Sequence, residues 1–272
     1  LSPQIHNAAF DAAGIDMVYT AFHVCKGDLQ RALNGVRSLG IRGLSVTIPH
    51  KVDIIPFLDE VDADALSTGS VNTVVNSSGI LIGFSTDGPG AVRALEGASV
   101  DPAGKSVLML GSGGAARAIA FSLRSLEPLP GLQILGIDEP ETAALASDLN
   151  RGIRKETAAV RWNRLDRGNL EAAMHESEIV IHTSPVGMSP NTGESLVPAE
   201  FFRPGQVVFD VVYTPRETRL LREAREAGAV AVSGLDMFIN QAGIQFEIWT
   251  GSPAPVGVMT EAVKKALYSD GH

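Results

Sequence analysis

The sequence predicts an α/β protein, and three observations carry that prediction. From Lys105 onward, short apolar runs alternate with helical stretches, the sequence form of a parallel sheet with crossover helices. The first of these runs, Ser106-Val107-Leu108-Met109-Leu110, passes straight into the glycine-rich turn Gly111-Ser112-Gly113-Gly114 and then into a helical pattern. The preceding stretch of about 90 residues has a helix and strand rhythm of its own and closes on a hairpin signal, which makes a second α/β unit.

Taken in chain order, Gln4–Ala13 is an amphipathic stretch and is expected to be helical. Met17–Val24 is expected as a strand, Asp28–Leu39 as a helix, Gly43–Ile48 as a strand and Asp59–Leu66 as another short helix. Ser70–Val75 and Ile80–Phe84 are joined by Asn76-Ser77-Ser78-Gly79, and Asn and Gly are residues that a tight hairpin turn accepts. After the strand at Ser106–Leu110, the helix that follows the glycine turn is expected to end near Leu126. Strands follow at Leu132–Ile137, Ile179–Thr183, Val207–Val212 and Val230–Val232, with helices between them such as Glu141–Asn150 and Thr218–Ala227. Met237–Trp249 and Thr260–Leu267 are helical patterns outside this alternation and are expected to pack back on the N-terminal part.

At 272 residues the chain has room for two modest domains, and 44% hydrophobic with 19% charged residues supplies enough apolar side chain for packed cores rather than disorder. With 22 Lys+Arg against 31 Asp+Glu, the net charge of −9 disfavours nucleic acid and anionic lipid as partners. Cys25 is the single cysteine, so there is no intrachain disulfide and no thiolate metal cluster, which suits a reducing, cytoplasmic setting. No apolar run approaches the roughly 20 residues of a spanning helix, and the N-terminus has no basic-then-apolar leader pattern, so a soluble protein is expected. His6, His23, His50 and His182 have no metal-ligand spacing, and no metal is assigned. The chain starts at Leu1, directly inside a motif quoted below, so upstream residues and a first strand are expected to be missing.

A strand, a glycine turn and a helix in this order let backbone amides and the positive helix N-terminus approach a pyrophosphate, with Gly111, Gly113 and Gly114 removing the Cβ atoms that would stand in the way. The next strand ends Leu135-Gly136-Ile137-Asp138. There an acid accepts from the ribose 2′-hydroxyl of NAD, whereas an Arg suits the 2′-phosphate of NADP. Asp138 without an Arg in its turn leans toward NAD, although it lies 27 positions after Gly111 against the usual 20 or about that, and it is equally readable as the N-cap of the following helix.

The N-terminal part carries polar residues at strand ends: Ser45-Val46-Thr47-Ile48-Pro49-His50-Lys51, Val71-Asn72-Thr73 and Ser85-Thr86-Asp87-Gly88. Converging Ser, Thr and Asn side chains orient a polyhydroxylated substrate, and a Lys with an Asp can move the proton that accompanies hydride transfer to or from an alcohol carbon. Each is also readable singly as structure: Lys51 as a solvated helix-start lysine, Asp87 as a cap and Asn72 as a turn residue.

In combination these segments resemble the shikimate dehydrogenases, over nearly the whole chain. Ser2-Pro3-Gln4-Ile5-His6-Asn7, Val46-Thr47-Ile48-Pro49-His50-Lys51, Val71-Asn72-Thr73, Thr86-Asp87-Gly88 and Gly111-Ser112-Gly113-Gly114-Ala115 stand in the family's order. They are followed by Thr183-Ser184-Pro185-Val186-Gly187-Met188, Asp210-Val211-Val212-Tyr213-Thr214-Pro215 and Gly234-Leu235-Asp236-Met237-Phe238-Ile239-Asn240-Gln241-Ala242. The resemblance implies a discontinuous α/β substrate domain (1–87 plus 238–272) facing a Rossmann dinucleotide-binding domain (88–237), and NAD(P)-dependent interconversion of 3-dehydroshikimate and shikimate in aromatic amino-acid biosynthesis by a monomer or homodimer. By carry-over, Lys51 and Asp87 form the catalytic pair. Ser2 holds the substrate carboxylate, Thr47, Asn72 and Gln241 its hydroxyl edge, and Tyr213 closes the site. Gly111, Ser112, Gly113, Gly114 and Ala115 hold the pyrophosphate, the loop Ser184–Met188 lies near the nicotinamide, and Gly234 belongs to the cofactor residues.

The chain also departs from the family pattern. A second serine, usual two positions before Ser2, lies outside the chain. Ser45 and Ser85 stand where Asn is common, His182 occupies a position usually held by Asn, and Gly136-Ile137-Asp138 replaces the Asn-Arg-Thr type of NADP reader. NADP is therefore the family's cofactor while this chain's own residues point to NAD. Two other readings stand beside the first: an NAD-preferring quinate/shikimate dehydrogenase, and a catalytically silent shikimate-binding sensor. Retention of both Lys51 and Asp87 argues against the sensor.

Overall fold

The structure, a computed structural model, describes residues 1–128, 130–151 and 159–268. The chain divides into two compact units, residues 1–90 with 239–272, and residues 91–238. Among the described residues no helix is long and apolar enough to cross a membrane.

The first unit opens with α1 (Ser2–Ala13), which buries Ile5, His6, Ala9 and Phe10 and is closed by Gly14 at φ +66°. Then come α2 (Leu29–Ser38), β1 (Gly43–Ser45), the single turn α3 (His50–Asp53), a 3₁₀ turn at Ile55–Phe57 and β2 (Glu60–Val61). Next are α4 (Ala63–Thr68), β3 (Thr73–Ser77) and β4 (Ile80–Phe84). The sheet runs β1-β3-β4-β2, antiparallel except for the β2/β4 pair. The hairpin turn has Ser78 at φ +53° and Gly79 at φ +95° between the paired Ser77 and Ile80, two successive positive φ values that match the strand twist. The Asn76 side chain accepts from the Gly79 N–H at 2.8 Å. Leu33, Ile54, Val71, Val74 and Leu81 fill the core on one face of this sheet.

Two expectations fail in this unit. Met17–Val24 forms no strand. The Asn7 side-chain amide takes both backbone groups of Tyr19, at 2.6 and 2.9 Å, so a side chain supplies the partners that a ladder would have given. Asp59–Leu66 is not one helix. Its first half pairs with β4 as β2, and α4 starts only after Asp62, whose carboxylate accepts from the N–H groups of Asp64 and Ala65. The strand at Gly43–Ile48 is also shorter than expected and ends at Ser45.

Helix α5 (Asp87–Gly97) leads into the second unit. There β5 (Ser106–Leu110), α6 (Gly114–Arg124), β6 (Gly131–Gly136), α7 (Glu139–Asn150), β7 (Arg161–Arg164), α8 (Arg167–Glu176) and β8 (Ile179–His182) follow in turn. A 3₁₀ turn at Ala199–Phe201, β9 (Val207–Asp210), α9 (Arg219–Glu226) and β10 (Val230–Ser233) complete it. All pairings in the six-stranded sheet are parallel, and its order is β10-β9-β8-β5-β6-β7, the doubly wound order of a Rossmann sheet. Both faces are covered: Val107 and Met109 join one core cluster, Leu108 and Leu110 the other, which explains why the strand reads as an unbroken apolar run.

Helix α10 (Gly234–Thr250) leaves this unit and returns to the first, followed by α11 (Val256–Tyr268). In the first unit Phe246 of α10 stacks on Phe10 of α1 at 5.5 Å, and the Trp249 indole N–H donates to the Val74 carbonyl at 3.0 Å. Gly234 opens the helix because a Cβ there would run into the Val211 carbonyl.

Candidate active site

In the first unit, Asn72 is where the sheet becomes a site. Its backbone continues both neighbouring ladders, its C=O accepting from the Val46 N–H at 2.7 Å and its N–H donating to the Phe84 C=O at 3.1 Å. The adjacent Val71 N–H donates to the Lys51 carbonyl at 2.8 Å and ties α3 to the start of β3. Asp87, the first residue of α5, stands three positions after the end of β4. The backbone thus brings a lysine, an asparagine and an aspartate to one edge.

The side chains then connect. The Lys51 ammonium donates to Asp87 Oδ2 at 2.6 Å, with the two side chains 29% and 15% exposed, so the pair is sheltered yet reachable. Asn72 Nδ2 donates to Asp87 Oδ1 and to the Thr86 hydroxyl, both at 2.9 Å. Asn72 Oδ1 accepts from the Thr86 N–H and the Thr73 hydroxyl, again at 2.9 Å. The Thr86 hydroxyl lies 3.4 Å from Gln241 Oε1, which accepts from it. Asp87 is therefore oriented from one side by an amide and from the other by the ammonium, which has two further N–H bonds to offer.

Gln241 reaches this cluster because α5 and α10 touch at a glycine. A Cβ on Gly90 would lie 2.8 Å from Gln241 Cβ and 2.9 Å from its backbone N. Gly90→Ala is expected to cost about 1–3 kcal/mol through the forced separation of two helix backbones. Urea unfolding midpoints check this, and an unchanged midpoint would contradict it.

Of the residues expected in the site, Lys51, Asn72, Asp87 and Gln241 meet in one hydrogen-bonded cluster with Thr86. Thr47 is exposed between β1 and α3, and Ser2 opens α1; neither hydroxyl is bonded into the cluster. Gln245 escaped the sequence reading. It is buried, and its amide accepts from Ser45 at 2.9 Å and donates to the Thr73 hydroxyl at 2.9 Å. Its signal was its place one helical turn after Gln241, on the same face of α10.

In the second unit the three turn glycines have different causes. Gly111 adopts φ +117°, and a Cβ there would lie 2.6 Å from the Thr183 hydroxyl, so the packing of β5 against β8 requires it. Gly113, the N-cap of α6, has no side-chain cap, and a Cβ on Gly113 or Gly114 would meet nothing within 4 Å. Those two positions open the first N–H groups of α6 to a ligand, and Ala115 follows in the same turn. A pyrophosphate fits this cradle. It lies where the strand order reverses between β5 and β8, the switch point at which doubly wound sheets bind ligands.

Asp138 caps α7, accepting from the Glu141 N–H at 2.9 Å, so its structural reading is realised; its carboxylate stands at the end of β6. The Ser112 hydroxyl donates to Glu141 Oε2 at 3.0 Å and links the glycine turn to the same helix. One cation that the sequence reading passed over, Arg164, pairs across from Gly136 at the end of β7 and lies 3.7 Å from Glu139. Met188 is exposed in the loop after β8, Tyr213 stacks on Phe238 at 5.2 Å, and Gly234 has the packing cause given above.

Two family models match the chain, one described as the shikimate dehydrogenase substrate binding domain over residues 1–74 and one as the shikimate 5′-dehydrogenase C-terminal domain over residues 234–264. The shikimate dehydrogenase (NADP(+)) of Moorella thermoacetica is 44% identical over 98% of this chain and 89% of its own. The Methanopyrus kandleri protein of the same description is 43% identical over 98% and 91%. A crystal structure of shikimate 5-dehydrogenase from Listeria monocytogenes in complex with shikimate and NAD superposes with a TM-score of 0.90 at 37% identity, covering 97% of this chain and 91% of that one. Matched at 43–44% identity over 98% of its length, the chain belongs to the shikimate dehydrogenase family.

Proposed function

We propose that this protein is an NAD(P)-dependent shikimate dehydrogenase that reversibly reduces 3-dehydroshikimate to shikimate, and the observation that carries the proposal is the Lys51–Asp87 pair held by Asn72 at 2.6 and 2.9 Å. When bound, the dinucleotide supplies or takes up the hydride. Lys51 protonates the developing alkoxide in reduction and receives the alcohol proton in oxidation, while Asp87 keeps its nitrogen in place and balances its charge. Asn72, Thr47 and Gln241 bind the ring hydroxyls, Ser2 the carboxylate, and Tyr213 covers the substrate. Residues 1–87 with 238–272 serve the substrate, and residues 88–237 serve the dinucleotide. Gly111, Ser112, Gly113, Gly114 and Ala115 cradle the pyrophosphate, the loop Ser184–Met188 borders the nicotinamide, and Gly234 supports that border. Oxidation of shikimate with concomitant reduction of the dinucleotide tests the function, and a protein that binds both ligands without turnover is the silent sensor instead.

The cofactor preference we propose is NAD. Asp138, Glu139 and Glu141 crowd the start of α7 with negative charge, and Arg164 is turned toward Glu139. A 2′-phosphate brought there meets repulsion, while a 2′-hydroxyl finds an acceptor in Asp138. Asp138→Ala is expected to weaken NAD by about tenfold and to shift the NAD/NADP ratio of kcat/KM toward NADP. An unmoved ratio leaves Asp138 as a helix cap only.

A further inference from the structure

At the carboxyl end of the second unit's sheet a buried chain of polar groups leads to Ser184, the first residue of the loop proposed above to border the nicotinamide. His182 ends β8, Asp210 ends β9 directly beside it in register, and Ser184 follows two residues after His182. Both His182 and Asp210 are fully buried. His182 Nδ1 lies 2.9 Å from Asp210 Oδ1, and His182 Nε2 lies 2.5 Å from the Ser184 hydroxyl. Asp210 also accepts from the Val212 N–H at 3.0 Å and from the Thr218 hydroxyl at 2.6 Å.

Asp210 accepts from the Val212 N–H and the Thr218 hydroxyl, an acceptor role matched by the His182 tautomer with its proton on Nδ1. In that tautomer Nε2 offers a lone pair, and the Ser184 hydroxyl donates to it. With its single proton committed, Ser184 Oγ presents only lone pairs to anything else. The Val186 N–H already approaches it at 3.3 Å as a donor. Ser184 is partly exposed, and its backbone N is within 3.5 Å of where a Gly111 Cβ would stand, so it adjoins the glycine turn.

The sheet order says which part of a dinucleotide meets that oxygen. β5 carries the pyrophosphate turn, β6 and Asp138 flank it on one side, and β8 flanks it on the other. The adenosine half belongs to the β6 side, which leaves the nicotinamide half to β8. We propose that Asp210 and His182 are positioning residues that lock Ser184 as a hydrogen-bond acceptor for the carboxamide NH₂ of the nicotinamide. This inference rests on the dinucleotide-binding function proposed above.

The test compares dissociation constants, by calorimetry on the full chain, for NAD and its 3-acetylpyridine analogue, in which a methyl ketone keeps the carbonyl and removes the N–H donor. If the wild type prefers NADP, the corresponding NADP pair is used. The wild type is expected to bind the carboxamide form about 3- to 10-fold more tightly. Ser184→Ala should bring that ratio close to one, and Ser184→Thr, which keeps the hydroxyl, should restore it. His182→Asn retains a donor toward Asp210 and so keeps the fold, checked by its thermal midpoint, yet should lower the ratio as Ser184→Ala does. A ratio unchanged in both folded variants overturns this inference alone while shikimate turnover stands. Failure of the wild type to bind either form, with no turnover, overturns it together with the proposed function.

Discussion

Replacing Lys51 by alanine is expected to lower kcat for shikimate oxidation by about a hundred- to ten-thousand-fold, with a much smaller change in KM. Removal of a positioned acid–base group typically costs that much, and the cost falls on the transition state rather than on ground-state binding. The geometry specifies the form of the loss. The lysine nitrogen is the cationic partner of Asp87 at 2.6 Å, and with it gone Asp87 keeps the Asn72 amide on its other oxygen, so the carboxylate stays in place without a proton donor beside it. Asp87→Asn leaves the lysine present but unpaired, and its loss is expected to be smaller than that of Lys51→Ala. Steady-state rates with saturating dinucleotide measure both, and an unchanged kcat in Lys51→Ala removes the lysine from the chemistry.

The second large effect concerns stability. His6 is fully buried among aromatic rings, stacked on Tyr19 at 4.8 Å and tilted against Trp249 at 5.0 Å and Phe10 at 6.2 Å. Burial lowers its pKa from 6.5 to about 4, and the neighbouring Gln245 side chain offsets only part of that. The unfolded chain therefore takes up a proton at this residue before the folded one does. The folded state keeps the full advantage of a neutral His6 above pH 6.5 and loses it progressively as the pH falls toward 4. At about 1.4 kcal/mol per pH unit, the loss reaches about 3 kcal/mol. His6→Phe fills the same aromatic space with no titrating group, so its unfolding free energy is expected to fall less between pH 7 and pH 4.5 than that of the wild type. Urea unfolding at the two pH values measures the difference, and parallel losses would show that His6 titrates alike in both states.

The second unit was largely legible because a strand covered on both faces is apolar at every position, as in Val107–Leu110. β7 was not legible. Its Arg161-Trp162-Asn163-Arg164 lies exposed at the sheet edge, so neither a continuous nor an alternating apolar pattern marks it. Met17–Val24 failed for the opposite reason: its composition suits a strand, but strand formation depends on a partner that local sequence does not supply, and Asn7 holds Tyr19 instead. In the first unit, motif order identified Lys51 and Asp87 as a pair, whereas spacing alone left each readable as an ordinary surface or capping residue. Asn72 as the hub of the cluster was invisible, because a hydrogen-bond hub has no sequence period. The Asp210–His182–Ser184 chain was hidden for a related reason. Its first two members are 28 positions apart and meet only through the register of β8 and β9.

The most direct test of the account is the initial rate of shikimate oxidation by the wild-type chain with NAD and with NADP, followed by the appearance of reduced dinucleotide. Turnover is expected, faster with NAD than with NADP at equal subsaturating concentration. Binding of shikimate and dinucleotide with no reduced dinucleotide formed would contradict it.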